Sequence, residues 1–328
     1  MIESAGVIGA GVMGKGIARH LSNAGCKVAL IDSDPVQLAN AEAELGDTEI
    51  TLSDELQDCQ SADFVIEAII EELAIKQNLL ATLSRLSEAT IIASNTSSLL
   101  IRDLATNVTV PSRFLGVHYN NPADFNPIVE VIPTDYTHPK ITDHIQDWYS
   151  QNGKQTVRCK DTSGFILNRQ SLPYMNEAIR CLDSASQGAI DVIALSELGV
   201  GLGPFAVMNL VGLKVMAAAS LNLEVLGEGY KAAQALQEEA IADNPEWEID
   251  TNMDLSGVDV KRIKDRLLGA MIFPGKDILD QSLCSREDLH LICIEALGYK
   301  RSSPELLEQL SEDEVTRLLI SYRSGGTD

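Results

Sequence analysis

The sequence predicts an α/β protein: a doubly wound, mostly parallel Rossmann sheet, followed by an all-α domain that is present twice. Three observations lead there. Short apolar runs alternate with helical stretches over about the first 160 residues, the pattern of strands joined by crossover helices. A glycine-rich turn, "GAGVMG", lies between the first apolar run and the first helical stretch. From Phe165 onward the apolar spacing is helical almost throughout.

The elements follow in order. Residues 5–8 form a short apolar strand, and the turn at Gly9–Gly14 leads into a helix that runs to about Ala24 and is ended by Gly25. "KVALID" at 27–32 reads as the second strand, with further strands at 63–68, 90–94, 113–119, 128–132 and 156–160. Helical stretches lie near 72–86 and 138–151. After "KDTSGF" the strands stop. The expected domains are therefore 1–160, a Rossmann domain, 161–242, a helical domain, and 255–328, a second helical domain. The acidic, proline-containing stretch 238–254 reads as a solvated linker between the last two.

The third segment resembles a worn copy of the second. Residues 168–200 can be laid beside 265–299, with Arg169 to Leu182 and Arg266 to Leu279 both 13 positions. The Leu-Gly pairs at 198–199 and 297–298 then fall two residues out of step, a loop-sized difference. An internal copy would cover the apolar face of the first, so the chain is expected to be a monomer containing a pseudo-dimer of helical domains.

Charge and composition exclude several classes of function. With 25 basic and 48 acidic residues the net charge is −23, which repels nucleic-acid phosphates and anionic lipid. No apolar run approaches the roughly 20 residues that span a bilayer. The N-terminus lacks a basic segment followed by a cleavable apolar one, so the expected location is the cytoplasm. Six cysteines without a CxxC pair suit a reducing compartment and argue against a metal site.

The turn at Gly9, Gly11 and Gly14 has the spacing of a dinucleotide-binding loop. The first glycine permits the tight turn, the second lets backbone approach a pyrophosphate, and the third permits close helix–strand packing. Val12 and Met13 open the helix, whose free N–H groups and dipole favour an anion. Asp32 ends the next strand 18 residues after Gly14, where a carboxylate accepts ribose hydroxyls and repels a 2′-phosphate. Ser33 and Asp34 follow without a nearby arginine, so the expected cofactor is NAD and not NADP.

In "GVHYNNPADFNPIVEVI", His118 ends one apolar run and Glu130 interrupts the next. Singly, each reads as an ordinary structural residue; the surrounding motifs decide otherwise. "VIGAGVMGKGIA", "ADFVIEAIIEELAIK", "ASNTSSL", "GVHYNNP", "IVEVI", "KDTSGFILNR" and "GLGPFAVMNLVGL" occur in the order seen in 3-hydroxyacyl-CoA dehydrogenases, and over residues 4–225 the chain resembles that family. The resemblance implies His118 as catalytic base, Glu130 as its partner, and Ser97 and Asn168 as substrate contacts. It also implies that Glu71, Lys76, Asn95 and Asn121 lie near the cofactor. The chemistry agrees. Oxidising an alcohol needs a base for the hydroxyl proton while hydride leaves the same carbon, and imidazole titrates near neutral pH. A carboxylate beside it fixes the tautomer and balances the imidazolium.

The chain departs from the family in several places. Only 30 positions separate Asp32 from Ala62, about half the family's usual distance, so a helical extension that contacts coenzyme A is expected to be missing. The usual pair of phenylalanines after the histidine is Tyr119–Asn120, and Asp124, Asn126 and Pro127 stand where apolar residues and a lysine are more usual. Ser163 and Asn209 replace a customary proline and aspartate. These changes read as a polar pocket and a weakened coenzyme A handle. The expected activity is NAD-dependent oxidation of the 3-hydroxyl of a short acyl thioester. The thioester is expected on a carrier protein, such as the glyceryl-type unit of polyketide extender biosynthesis, or on coenzyme A. Arg169, Lys261, Arg262, Lys264 and Arg266 could form a basic patch for an acidic acyl carrier protein. The alternatives are ordinary 3-hydroxyacyl-CoA oxidation in fatty-acid metabolism and a non-catalytic NAD-binding protein, which would have little reason to carry Ser97, His118, Glu130 and Asn168 together.

Overall fold

A computed structural model describes residues 2–46, 48–250 and 255–324. They form two compact units, Met1–Thr162 and Ser163–Asp328. In the first, β1 (Ser4–Ile8), β2 (Lys27–Ile31), β3 (Ile50–Ser53), β4 (Phe64–Glu67), β5 (Ile91–Ser94), β6 (Phe114–Tyr119), β7 (Ile128–Pro133) and β8 (Gln155–Arg158) make one sheet. Its order is β3-β2-β1-β4-β5-β6-β7-β8. Every neighbouring pair is parallel except β6 with β7. From β1 the chain builds outward first on one side and then on the other. The crevice beyond the C-terminal ends of β1 and β4 is therefore the place where such sheets bind ligands.

Parallel strands are covered on both faces, which is why they read as continuous apolar runs. Val7, Leu30, Phe64, Ile66, Ala93, Leu115 and Val117 are completely buried. The covering helices are α1 (Val12–Asn23), α2 (Pro35–Leu45), α3 (Leu73–Leu86), α4 (Ile101–Ala105) and α5 (Pro139–Gln151). α1 stops where Gly25 takes φ +87°, a left-handed conformation that residues with a Cβ resist. Asp34 caps α2 by accepting from the Val36 N–H at 2.8 Å. Neither α2 nor β3 stands out in the sequence. "ITLS" is a four-residue strand with two hydroxyl side chains, and only its pairing with β2 makes it a strand.

The second unit is helical: α6 (Leu167–Arg180), α7 (Gln187–Ile193), α8 (Pro204–Val211), α9 (Leu213–Leu223), α10 (Gln234–Glu239), α11 (Val260–Asp280), α12 (Arg286–Leu291), α13 (Ser303–Gln309) and α14 (Glu312–Ser324). α6 and α11 each carry an internal proline, Pro173 and Pro274, and pack together at the centre. Each also sends a buried arginine across to a carboxylate of the other: Arg169 Nη2 to Asp277 at 2.6 Å, Arg266 Nε to Glu177 at 2.6 Å.

The internal relation is closest around residues 200 and 299. Ser186 and Ser285 each cap a short helix that runs into a π turn, at Ala194–Leu198 and Ile292–Ala296. Val200 then pairs antiparallel with Tyr299. The Gly201 N–H donates to the Gly298 carbonyl at 2.8 Å, and the Lys300 N–H donates to the Gly199 carbonyl at 2.9 Å. A shift of 99 residues exchanges these two bonds, as a local two-fold axis requires.

The stretch 238–254 is not simply a solvated linker. Trp247 is buried, stacks edge-on against Phe205 at 5.4 Å, and exchanges two hydrogen bonds with Asn209. Asp250 accepts from the Gly188 N–H at 2.8 Å at the start of α7. The rest of the expected linker, 251–254, lies outside the described residues. Acidic composition misled here because one buried tryptophan and one capping carboxylate are enough to dock a strap. Among the described residues no single helix is long and apolar enough to cross a membrane.

Candidate active site

The glycine turn leaves β1 at the C-terminal edge of the sheet. Gly9 has φ +103°, and a Cβ there would lie 2.6 Å from the Ala68 carbonyl oxygen. A Cβ on Gly14 would lie 1.7 Å from the Gly9 carbonyl oxygen, so both positions exclude any side chain. Gly11 differs: a Cβ there would meet nothing within 4 Å. Its glycine keeps open space in front of the α1 N-terminus, where Val12 is exposed and Met13 half-buried. Asp32 is half-buried beyond β2, accepting from the Ala10 N–H at 2.7 Å and the Asp34 N–H at 2.9 Å. The carboxylate thus grips the glycine turn directly. Open space at Gly11, a helix N-terminus and a carboxylate at the end of β2 fit a dinucleotide.

Behind the turn lies a buried ionic cluster that sequence reading found only in part. Glu67, the last residue of β4, is completely buried and bonds to the Ser94 hydroxyl. Its other oxygen takes the Lys76 ammonium at 2.7 Å. Lys76, 1% exposed, also reaches the Ile69 carbonyl at 3.2 Å and Glu71 at 3.3 Å. Three acceptors surround its three N–H donors. Glu71 Oε1 gathers the turn at 96–98: Thr96 Oγ1 at 2.6 Å, the Ser97 and Ser98 N–H groups at 2.9 and 3.0 Å, and Ser98 Oγ at 2.9 Å. Burial opposes ionisation of Glu71, but the Lys76 ammonium and these donors outweigh it and hold the carboxyl below its usual range. The sequence signal for Glu67 was available: a carboxylate inside the apolar run "FVIE" has to find a buried partner.

His118 and Glu130 face each other across the only antiparallel pair of the sheet among the described residues, in direct register. Nδ1 lies 2.6 Å from Oε2, with the histidine 5% exposed and the glutamate 0%. A carboxylate beside Nδ1 selects the tautomer protonated there, which makes Nε2 the basic nitrogen. The C-terminal end of β5 supplies Asn95, whose side-chain oxygen accepts from the Tyr119 N–H at 2.8 Å and so ties β5 to the residue beside His118. Asn121 is exposed in the turn that follows. Asn168 is the second residue of α6, in the other unit.

Several expected pocket residues turn out to be committed elsewhere. Tyr119 is buried with its hydroxyl 2.9 Å from His20 Nδ1 on α1 and 2.9 Å from the Tyr149 hydroxyl. Asp124 pairs with Arg19 of α1 at 2.8 Å. Asn126 closes its own turn by accepting from the Ile128 N–H at 3.0 Å. The buried Lys154 donates to the carbonyls of Ala123 at 2.8 Å and Asn126 at 2.5 Å. The polar residues of "NNPADFN" therefore build the loop more than they line a pocket. The expected basic patch is likewise not assembled: Lys261, Arg262, Lys264, Arg266 and Arg169 pair with Asp265, Asp183, Glu197, Glu177 and Asp277.

Known proteins resemble the chain in sequence and in fold. The family model described as "3-hydroxyacyl-CoA dehydrogenase, NAD binding domain" matches residues 4–162, and that for the C-terminal domain matches 164–246. The human mitochondrial hydroxyacyl-coenzyme A dehydrogenase is 36% identical over 242 residues, 65% of this chain and 77% of the relative. A probable 3-hydroxybutyryl-CoA dehydrogenase of Bacillus subtilis is 36% identical over 247 residues, 68% of this chain and 85% of the relative. The crystal structure of an Escherichia coli 3-hydroxybutyryl-CoA dehydrogenase superposes with a TM-score of 0.85 at 21% identity, covering 99% of this chain and 95% of that one. At that identity the likeness concerns the fold, and it extends through the second helical segment.

Proposed function

The chain belongs to the 3-hydroxyacyl-CoA dehydrogenase family, NAD-dependent oxidoreductases, and from that premise we propose that it oxidises the 3-hydroxyl of a short acyl-CoA to the ketone, in the cytoplasm. The observation that carries this reading is the buried His118–Glu130 pair, at 2.6 Å, on a strand ending at the same sheet edge as the glycine turn.

NAD, when bound, supplies the acceptor for the hydride that leaves C3. The protein's part is to hold and move a proton. His118 Nε2 takes the substrate's hydroxyl proton as the C3–H pair departs, leaving a carbonyl, and Glu130 balances the imidazolium that results. Asp32 accepts the adenosine ribose hydroxyls, and the α1 N-terminus with Gly9, Gly11, Val12, Met13 and Gly14 receives the pyrophosphate. Glu71 and Lys76 act beside the cofactor by holding the turn that presents Ser97; Asn95 and Asn121 contribute next to His118. Ser97 and Asn168 are the hydrogen-bond donors for the reacting oxygen or the thioester carbonyl.

The test is NADH formation from 3-hydroxybutyryl-CoA by the wild type and His118→Gln. Wild-type turnover with a fall in kcat of roughly 10² or more in the variant is expected. Near-equal rates would remove the mechanism.

One observation favours a carrier-protein thioester as a second reading. Among the described residues between Asp32 and Ala62 the chain holds α2, of 11 residues, the short β3 and a 3-10 turn at Leu56–Cys59, where relatives are expected to carry a longer coenzyme A contact. The pairing of the five basic residues argues against it. Matched coenzyme A and carrier-protein substrates, compared by kcat/KM, decide between the two.

A further inference from the structure

Asn120 lies two residues beyond His118 and is 8% exposed, yet its amide nitrogen is buried with no hydrogen-bond partner among the described residues. Leaving a buried amide donor unmade is costly, so such a group calls for an explanation. Acceptors on the neighbouring segments are engaged by other donors. Asn95 takes the Tyr119 N–H, Asn126 takes the Ile128 N–H, Asp124 takes Arg19, and the carbonyls of Ala123 and Asn126 take Lys154.

Its position points to substrate. Extended backbone alternates sides. His118 meets Glu130 on one side of β6 and Tyr119 meets His20 on the other; Asn120 is the first residue beyond the strand, and continued alternation would return it to the side of His118. Two residues along extended backbone span about 7 Å, so side chains on one side of it can flank neighbouring carbons of one short acyl chain. The loop carrying it is held at both ends, by Asn95 before and by Arg19 and Lys154 after, so the amide is fixed in place.

We propose that Asn120 is a specificity-determining residue that donates a hydrogen bond to an oxygen on the acyl group distal to C3, so that the enzyme prefers a polar acyl chain. This rests on the dehydrogenase reading above. It also restores a polar substrate by a different residue from the loop side chains that proved to be structural.

The experiment compares kcat/KM for two thioesters on the same carrier, 3-hydroxybutyryl and its 4-hydroxylated counterpart, in the wild type, Asn120→Leu and Asn120→Ala. Loss of one donor to a substrate oxygen is worth about tenfold to hundredfold, so both variants should lower the ratio of 4-hydroxylated to plain substrate by that factor. The ratio is taken within one preparation, so partial unfolding cancels. If neither variant yields active enzyme, the wild type alone decides: a preference of about tenfold or more for the 4-hydroxylated substrate supports the proposal, and a smaller one overturns it. Equal losses on both substrates would assign the amide to the thioester carbonyl, and a rise confined to the KM for NAD would assign it to the cofactor. Either result overturns the proposal, as does an unchanged ratio. A wild type that reduces NAD with neither thioester fails the dehydrogenase reading itself, whereas turnover of both with an unmoved ratio fails only Asn120.

Discussion

Replacing Glu130 by glutamine removes one charge while keeping the shape of the side chain and its ability to hydrogen-bond. Glu130 is completely buried and its Oε2 lies 2.6 Å from His118 Nδ1. Taking the charge centres as about 4 Å apart and an effective dielectric of about 20, the carboxylate stabilises a full imidazolium by about 4 kcal/mol. A transition state with the proton half transferred feels about half of that, about 2 kcal/mol, or roughly 30-fold in rate. Near-complete transfer raises the loss to about 10³-fold. The amide can also turn its NH₂ toward Nδ1 and select the wrong tautomer, which moves the result toward the larger figure. The assay is kcat with saturating NAD and thioester, beside NAD affinity from fluorescence titration and a thermal melt. We expect kcat to fall within that range while NAD affinity stays near the wild-type value, because Glu130 lies on β7, four strands away from the β1 that leads into the glycine turn. A folded variant that loses less than about threefold in kcat would refute the reasoning, since no charge would then be balanced at His118.

Three further outcomes are expected. Asp32→Ala should weaken NAD by roughly 10- to 100-fold, the value of hydrogen bonds to a charged group, and narrow the preference over NADP; an unmoved NADP/NAD ratio of kcat/KM would remove Asp32 as the ribose ligand. Burial lowers the pKa of His20 to about 4 from 6.5, so between those values the unfolded chain binds a proton that the folded one does not, and stability falls as pH drops. From about pH 7.5 to about pH 5 that contributes about 2 kcal/mol of lost stability, which should be absent from His20→Gln in paired denaturation curves; equal pH slopes would contradict it. Because α11 covers α6, the full chain should run as a monomer in size-exclusion chromatography with light scattering, whereas truncation after residue 242 should self-associate or aggregate. A well-behaved monomeric truncation, or a full-length dimer joined through the first helical segment, would sink the internal pseudo-dimer.

The sequence by itself determined the features that local chemistry enforces. A Gly9–Gly11–Gly14 turn between an apolar strand and a helix admits few uses, and a doubly wound, mostly parallel sheet followed from alternating strands and helices. His118 and Glu130 were legible only through the motifs around them, since each alone reads as a structural residue and the family resemblance gave them their roles. Tertiary structure decided what each polar residue is spent on, because a hydrogen bond's partner can lie anywhere along the chain. Asp124 and Asn126 look like pocket residues until Arg19, Lys154 and the Ile128 N–H claim that loop from other elements. The five basic residues look like a docking patch until a carboxylate stands beside each. Glu67, completely buried, becomes the centre of the Lys76–Glu71–Ser97 cluster only once β4, β5 and α3 meet. Asn120 is the converse: one of several asparagines in the sequence, it is set apart only by burial, which leaves its amide nitrogen a donor that no described residue of the fold satisfies.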